Sequence, residues 1–130
     1  MAQRCPTARI VGITTLENYK LLFRGGHACS VATVEPSEGD KVPVMIWEIQ
    51  DKDELALDRY EGFPHLYIKK NVKVKLGKKT VEAMMYVMTD GHPIGTPSAY
   101  YYATILEGYN GAKMDVAYLN NGVERSRISE

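Results

Sequence analysis

Cysteine and histidine are scarce in this sequence. The two cysteines, Cys5 and Cys29, are too few for a disulfide scaffold, and they lack a metal-ligand spacing. We therefore expect free thiols in a reducing compartment. The three histidines, His27, His65 and His92, are scattered beside Gly or Pro in turn-like settings. None has a second ligand at a suitable offset, so the pattern argues against a metal site.

An excess of charge and a long apolar run are also missing. Lys and Arg together number 16, Asp and Glu together number 16, and the formal net charge is zero. This balance removes the simplest electrostatic case for binding nucleic acid or an anionic membrane. No stretch approaches the roughly 20 apolar residues of a membrane-spanning helix, and the first residues lack the apolar core of a signal peptide. The turn residues and the dense use of lysine fit a cytoplasmic protein.

The length and the pattern of the 130 residues predict a single α+β domain over residues 1–123 with a frayed tail over 124–130. Alternating and β-branched stretches predict strands, turn residues predict loops, and helical spacing predicts helices. The predicted strands cover residues 9–13, 19–23, 28–34, 42–49, 66–75 and 81–88. A turn cluster is predicted at 35–40 and helices at 52–61, 98–107 and 113–121. This order predicts an antiparallel or mixed sheet that curls toward a barrel.

Six lysines surround the predicted hairpin of residues 66–88, at positions 69, 70, 73, 75, 78 and 79. Two interpretations are open. Lysines guard exposed sheet edges, so the group can be a solvated strand face. Together with nearby tyrosines it can also hold nucleic acid. The zero net charge favours the solvated face.

Glu61 is the candidate for acid–base chemistry. It falls in the last turn of the helix predicted at 52–61, where Gly62 and Pro64 end the helix. The negative end of the helix dipole is expected to raise the pKa of this carboxyl group, and burial by Leu57 and Phe63 would add to the effect. A general base needs such a raised pKa. The alternative is a solvated residue at a helix end.

The run from Leu57 to Tyr67 reads LDRYEGFPHLY. It resembles the L-D-x-Y-E-G-x-P-x-x-Y signature of the γ-glutamylcyclotransferase-like family. Further segments resemble the family in the same order, although Val44 stands where the family often has Gly. These segments are residues 4–12, 36–49, 82–88 and 97–109.

The resemblance implies a mixed, mostly antiparallel barrel-like sheet with helices at one end, and no metal or organic cofactor. It implies a reaction in which the α-amine of a γ-glutamyl amino acid or amine attacks its own δ-carbonyl and releases 5-oxoproline. Glu61 matches the catalytic glutamate, a general acid and base. Tyr67 and Tyr101 match tyrosines near the substrate, and Ser98 belongs to the matching segment. The expected partner is a small γ-glutamyl substrate, not nucleic acid or membrane.

The family's Y-G-S-N loop has no counterpart in this sequence, since only three residues precede Arg4 and no Gly-Ser-Asn occurs elsewhere. In the family this loop cradles the γ-glutamyl group with backbone N–H donors. A chain that is short at its N-terminus is therefore one expectation. The alternative function is a catalytically impaired binding or assembly module, in which an open sheet edge favours a homodimer.

Overall fold

The structure is a computed structural model that describes residues 7–25 and 30–127. The predictions for Cys5, His27 and Cys29 lie outside these residues. Within them the chain forms four strands and three helices, which confirms the predicted α+β class. The elements are β1 (Arg9–Arg24), β2 (Val31–Glu48), α1 (Asp51–Tyr60), β3 (Tyr67–Leu76), β4 (Lys79–Met88), α2 (Ala99–Gly111) and α3 (Val116–Arg125).

The first two strands are longer than predicted. β1 has 16 residues and β2 has 18, so each replaces two predicted short strands, and the turn predicted at 35–40 is wrong. Both strands continue through a residue with a positive φ angle, Asn18 at 64° in β1 and Gly39 at 84° in β2. The Gly39 N–H donates to Asn18 Oδ1 at 3.2 Å. A local left-handed conformation bends a strand without ending it, as at β-bulges.

The strands β3 and β4 form the predicted hairpin. Their antiparallel register places Tyr67 opposite Met88, Lys69 opposite Tyr86 and Leu76 opposite Lys79. Gly77, with a φ of 62°, and Lys78 make the two-residue turn. In the described residues β1 is hydrogen-bonded to β2 and β3 to β4, so the strands form two two-stranded sheets. The expected barrel-like closure is not present in them, because no strand ladder joins the two pairs.

The last two helices end later than predicted. The sequence predicts a helix that ends at residue 107, before Gly108, but α2 continues to Gly111. A glycine within a helix costs only about 1 kcal/mol, so it does not by itself end one.

The helix α3 begins at Val116, since Lys113 has a φ of 58° and the Asp115 side chain caps the Ala117 N–H at 2.9 Å. It continues to Arg125, so the predicted start of the tail at 124 falls inside this helix. No helix among the described residues is long and apolar enough to cross a membrane.

The chain divides into two compact units, each made of two segments. The first unit is Met1–Thr15 with Val44–Thr89, and the second is Leu16–Pro43 with Asp90–Glu130. The second unit has a core of Phe23, Tyr109 and Leu119. At its edge the fully buried Ser126 hydroxyl accepts from the Phe23 N–H at 2.8 Å and donates to the Gly122 carbonyl at 2.8 Å.

Replacing Ser126 with Ala should destabilise the protein by about 1–3 kcal/mol, because the Phe23 N–H would remain buried without its acceptor. Urea unfolding measures this change. Thr104→Ala is the matched control, since the Thr104 hydroxyl also donates to the carbonyl four residues earlier but is exposed. Equal losses in the two variants would contradict the role given to Ser126.

Candidate active site

The helix α1 begins one residue earlier than predicted. Its N-cap is Gln50, and its first residue is Asp51. The Asp53 carboxylate accepts from the Gln50 N–H at 3.0 Å and from the Thr7 hydroxyl. Both hydrogen bonds hold the pKa of Asp53 below its usual value, and the bond from Thr7 has the larger effect. The start of the helix is therefore anchored by a buried, ionised carboxylate.

The end of α1 positions Glu61. Glu61 is the C-cap residue, with helical backbone angles, and its side chain is partly buried. Gly62 follows in the left-handed conformation, with a φ of 67°. The Phe63 N–H donates to the Asp58 carbonyl at 2.9 Å, and the Gly62 N–H donates to the Arg59 carbonyl at 3.4 Å. This pattern is a Schellman motif, so the backbone that carries Glu61 is held by bonds on both sides.

The loop after Gly62 leads directly to Tyr67. The Gly62 carbonyl accepts from the N–H groups of His65 and Leu66 at 2.8 and 2.9 Å. The peptide bond between Phe63 and Pro64 is cis. Tyr67 then opens β3 and is only 7% exposed. Glu61 and Tyr67 are therefore the two ends of one short hydrogen-bonded loop, and the structure brings these two predicted site residues into the same unit.

Four polar side chains next to this loop form a group that the sequence analysis missed. Asp58 accepts at one oxygen from the Tyr86 hydroxyl and at the other from Lys69 Nζ, at 2.9 Å. Lys69 Nζ also donates to Glu54 Oε2 at 2.6 Å. We call Glu54, Asp58, Lys69 and Tyr86 the Asp58 network. Two patterns could have indicated this network. Glu54 and Asp58 are four residues apart on one helix, and the hairpin register places Lys69 opposite Tyr86.

Lys69 differs from the other lysines of the hairpin. Its side chain is 25% exposed, and its Nζ lies 4.6 Å from the centroid of the Phe63 ring. The remaining five are exposed, as expected for a solvated strand face. Lys69 thus links α1, the loop and β3 through two ion pairs and a cation–π contact.

The negative charge at the end of α1 acts on Tyr86. Burial raises the pKa of Tyr86 well above its usual value, and the hydrogen bond to Asp58 and the charges of Asp58, Glu54 and Glu61 raise it further. The Tyr86 hydroxyl therefore stays protonated at physiological pH and keeps donating to Asp58. The same interaction links Glu61 electrostatically to the Asp58 network.

An open pocket of about 330 Å³ adjoins the network within the first unit. Glu54, Leu57 and Tyr86 belong to its wall, and so does Glu82. The apolar part of the wall comes mainly from β2 and β4 and includes Met45, Trp47, Ile49 and Met84. Leu57 lies one helical turn before Glu61, so this wall leads toward the end of α1.

Ser98 and Tyr101 lie in the second unit. Ser98 is the N-cap of α2, and its hydroxyl accepts from the Tyr101 N–H at 3.1 Å. The Tyr101 hydroxyl accepts from the Ala32 N–H at 3.1 Å, and its ring meets Phe23 edge to face at 6.3 Å. The structure brings these two residues together and gives each a part in holding α2.

A family model described as "Gamma-glutamyl cyclotransferase, AIG2-like" matches residues 2–104. The chain belongs to this family. The match contains the Leu57–Tyr67 motif, and with it the Schellman motif, Glu61 and the Asp58 network. Comparison with curated proteins gives no match.

Two solved structures show the same fold. One is titled "Gamma-glutamyl cyclotransferase" and aligns with a TM-score of 0.83 at 23% identity, covering 99% of this chain and 80% of the other. The second is the crystal structure of an uncharacterized protein from Homo sapiens, with a TM-score of 0.82 at 23% identity and the same coverage, 99% and 80%. The family's fold is thus found in this chain.

Replacing Gly62 with Ala should destabilise the protein by about 1–2 kcal/mol, because a Cβ is strained at this left-handed position. Gly62→Asn should cost less, since Asn tolerates the conformation better. Gly108→Ala is the opposing control: Gly108 is helical with open space around it, so Ala should stabilise by about 0.5–1 kcal/mol. Denaturant unfolding compares all three, and an unchanged Gly62→Ala variant would refute the Schellman constraint.

The Asp58 network should make stability depend on pH. The hydrogen bonds from Tyr86 and Lys69 hold the pKa of Asp58 below its usual value. Its contribution is therefore fully present above about pH 4, the unfolded value, and is lost as the pH falls through the lower folded pKa. Asp58→Asn should be less stable than wild type at pH 7, and this difference should shrink as the pH falls from 4 to 2.

Urea unfolding midpoints at a series of pH values measure the difference between Asp58→Asn and wild type. Asp90→Asn is the control, because Asp90 is an exposed turn residue and the same substitution there should have little effect. A difference between Asp58→Asn and wild type that is constant across the range would show that the carboxylate charge is not what stabilises the network.

Proposed function

We propose that this protein is a γ-glutamylcyclotransferase that converts a γ-glutamyl amino acid or a γ-glutamyl amine into 5-oxoproline and the free amine. Glu61 is the proposed general base and acid. The observation that carries the proposal is the placement of Glu61 at the C-cap of α1, held by the Schellman motif within the family's own sequence motif.

The proposed reaction needs only proton transfer and a correct substrate conformation. The Glu61 carboxylate takes a proton from the substrate α-ammonium group, and the amine nitrogen attacks the δ-carbonyl carbon of the same glutamyl group. A new C–N bond closes the five-membered ring. As the bond to the leaving amine breaks, Glu61 returns its proton to that amine. The ring nitrogen gives up its second proton to the same amine, which leaves as an ammonium ion. Because the reaction is intramolecular, an enzyme that holds the chain folded gains much of its rate from proximity.

The surroundings of Glu61 support this role. Its carboxylate lies at the negative end of the helix dipole, and Asp58 and Glu54 add further negative charge on the same side of α1. Both influences favour uptake of a proton by a carboxylate. Lys69 is the counter-charge that keeps Glu54 and Asp58 in place. Glu61 is therefore set in a region that is rich in negative charge and fixed in geometry.

Tyr67 is the further residue proposed to contact the substrate. It is at the far end of the loop that begins with Glu61, and backbone hydrogen bonds within this loop hold the main chain between the two residues. Tyr101 and Ser98, which both take part in holding α2, stay predictions from the family resemblance. Their substitution is expected to affect folding as well as turnover, and Tyr67→Phe is the cleaner test of substrate orientation.

Glu61→Gln should lower the release of 5-oxoproline by about 10²–10⁴-fold, because the amide can neither take nor return the proton. The assay incubates the full chain with γ-glutamyl amino acids and γ-glutamyl amines and measures 5-oxoproline and the free amines by mass spectrometry. A reaction without protein corrects for spontaneous ring closure.

Glu107→Gln is the control, because it makes the same chemical change at an exposed residue of α2. It should release 5-oxoproline at the full wild-type rate. Running the assay in ¹⁸O-labelled water distinguishes ring closure from hydrolysis. Cyclisation leaves 5-oxoproline unlabelled, whereas hydrolysis yields labelled glutamate. Equal rates for Glu61→Gln and wild type would exclude Glu61 as the base, and labelled glutamate as the product would exclude the cyclotransferase reaction.

A further inference from the structure

A separate cavity of about 190 Å³ lies entirely within the second unit. It is lined by residues of β1, β2 and α3. Its polar and charged wall residues are Lys20, Asp40, Lys41, Tyr118, Asn121 and Arg125. None of these residues is part of the Asp58 network or of the proposed reaction.

Two glycines give this cavity its shape. Gly122 lets α3 lie directly on β1, since a Cβ at this position would come within 2.8 Å of Leu21 Cγ and 3.1 Å of the Leu21 carbonyl oxygen. Tyr118, Gly122 and Arg125 share one face of α3 by their spacing. Gly39 lies in the left-handed region, with its N–H bonded to Asn18 Oδ1. The cavity is thus built from defined backbone features.

The charges that line the cavity are unbalanced. Three cations, Lys20, Lys41 and Arg125, meet a single carboxylate, Asp40. The Asp40 oxygens are occupied, one by Arg125 at 2.9 Å and the other by the Ser37 hydroxyl. Both bonds hold the pKa of Asp40 below its usual value, and the bond from Arg125 has the larger effect. Asp40 therefore remains ionised at neutral pH. Within the described part of the chain, Lys20 and Lys41 form no ion pair.

We infer that this cavity binds a small oxyanion with two negative charges, namely a phosphate group. Three cations against one carboxylate leave a local excess that matches a dianion, in a chain whose net charge is zero. The Arg125 guanidinium has planar donors beyond the one that Asp40 uses, and such donors suit phosphate oxygens. The two ammonium groups act as point charges, and Tyr118 and Asn121 add neutral donors to the wall.

The phosphate group has two possible sources, free inorganic phosphate and the phosphate monoester of a larger molecule. The cavity volume restricts what can be enclosed to a compact group, so a monoester would leave its remainder outside. Titrations with inorganic phosphate and with phenyl phosphate distinguish these sources. A higher affinity for inorganic phosphate would indicate the free ion, and an equal or higher affinity for phenyl phosphate would indicate a monoester.

The test follows the amide signals of the ¹⁵N-labelled full chain during each titration at constant ionic strength. We expect saturable shifts at residues 20–22, 39–41 and 121–125, and no competition by acetate. The double variant K20Q/K41Q should bind at least about tenfold more weakly, since it removes two charges that face the ligand. Asp40→Asn should bind more tightly, because it removes the carboxylate and releases Arg125.

The control is K73Q/K75Q, which removes the same number of charges from exposed positions of β3 and should leave the affinity unchanged. Thermal unfolding by circular dichroism confirms that each variant is folded. Three results would overturn the proposal: shifts that rise linearly without saturation, equal binding by K20Q/K41Q and wild type, or an equal loss of affinity in K73Q/K75Q.

Discussion

The left-handed turn at Gly62 is the constraint on which the candidate site depends. It ends α1 at Glu61 and directs the chain into the loop that reaches Tyr67. Without a Cβ at this position, the N–H groups of Gly62 and Phe63 can turn back to the last carbonyls of the helix. The backbone of Glu61 and that of Tyr67 therefore owe their relative placement to hydrogen bonds within the loop.

Lys69 is the cation of the Asp58 network. Lys69 is shared by Glu54 and Asp58, while Glu61 adds a third carboxylate nearby. Lys69 therefore neutralises only part of the local negative charge. Burial raises the pKa of Tyr86 most, and the hydrogen bond to Asp58 and the remaining negative charge raise it further.

The sequence predicted the features that depend on local patterns. The β3–β4 hairpin follows from alternation around Gly77, and α1 follows from its acidic start and from Gly62. It did not predict the Asp58 network, since Lys69 has the same local pattern as the exposed lysines beside it. Only the register, which pairs Lys69 with Tyr86, and the position of α1 distinguish Lys69.

The predicted turn at residues 35–40 failed for a related reason. Gly39 and its polar neighbours are typical of a chain reversal, but their effect depends on the partner strand. Here Asn18 of β1 accepts the Gly39 N–H, and β2 continues. Likewise Gly108 does not end α2, because the helix continues to Gly111 despite the intrinsic cost of glycine. Residue propensity predicts where a helix or strand can end at low cost in free energy. Contacts with other elements determine whether it ends there.

The two long strands have a consequence for the connectivity of the chain. β1 passes from the first unit to the second after Thr15, and β2 passes back after Pro43. Neither unit is a continuous piece of polypeptide, so no single cut of the gene separates them. An inserted or deleted residue in either strand shifts the register of backbone that belongs to both. Variation in length is therefore better tolerated in the exposed turns than in these strands.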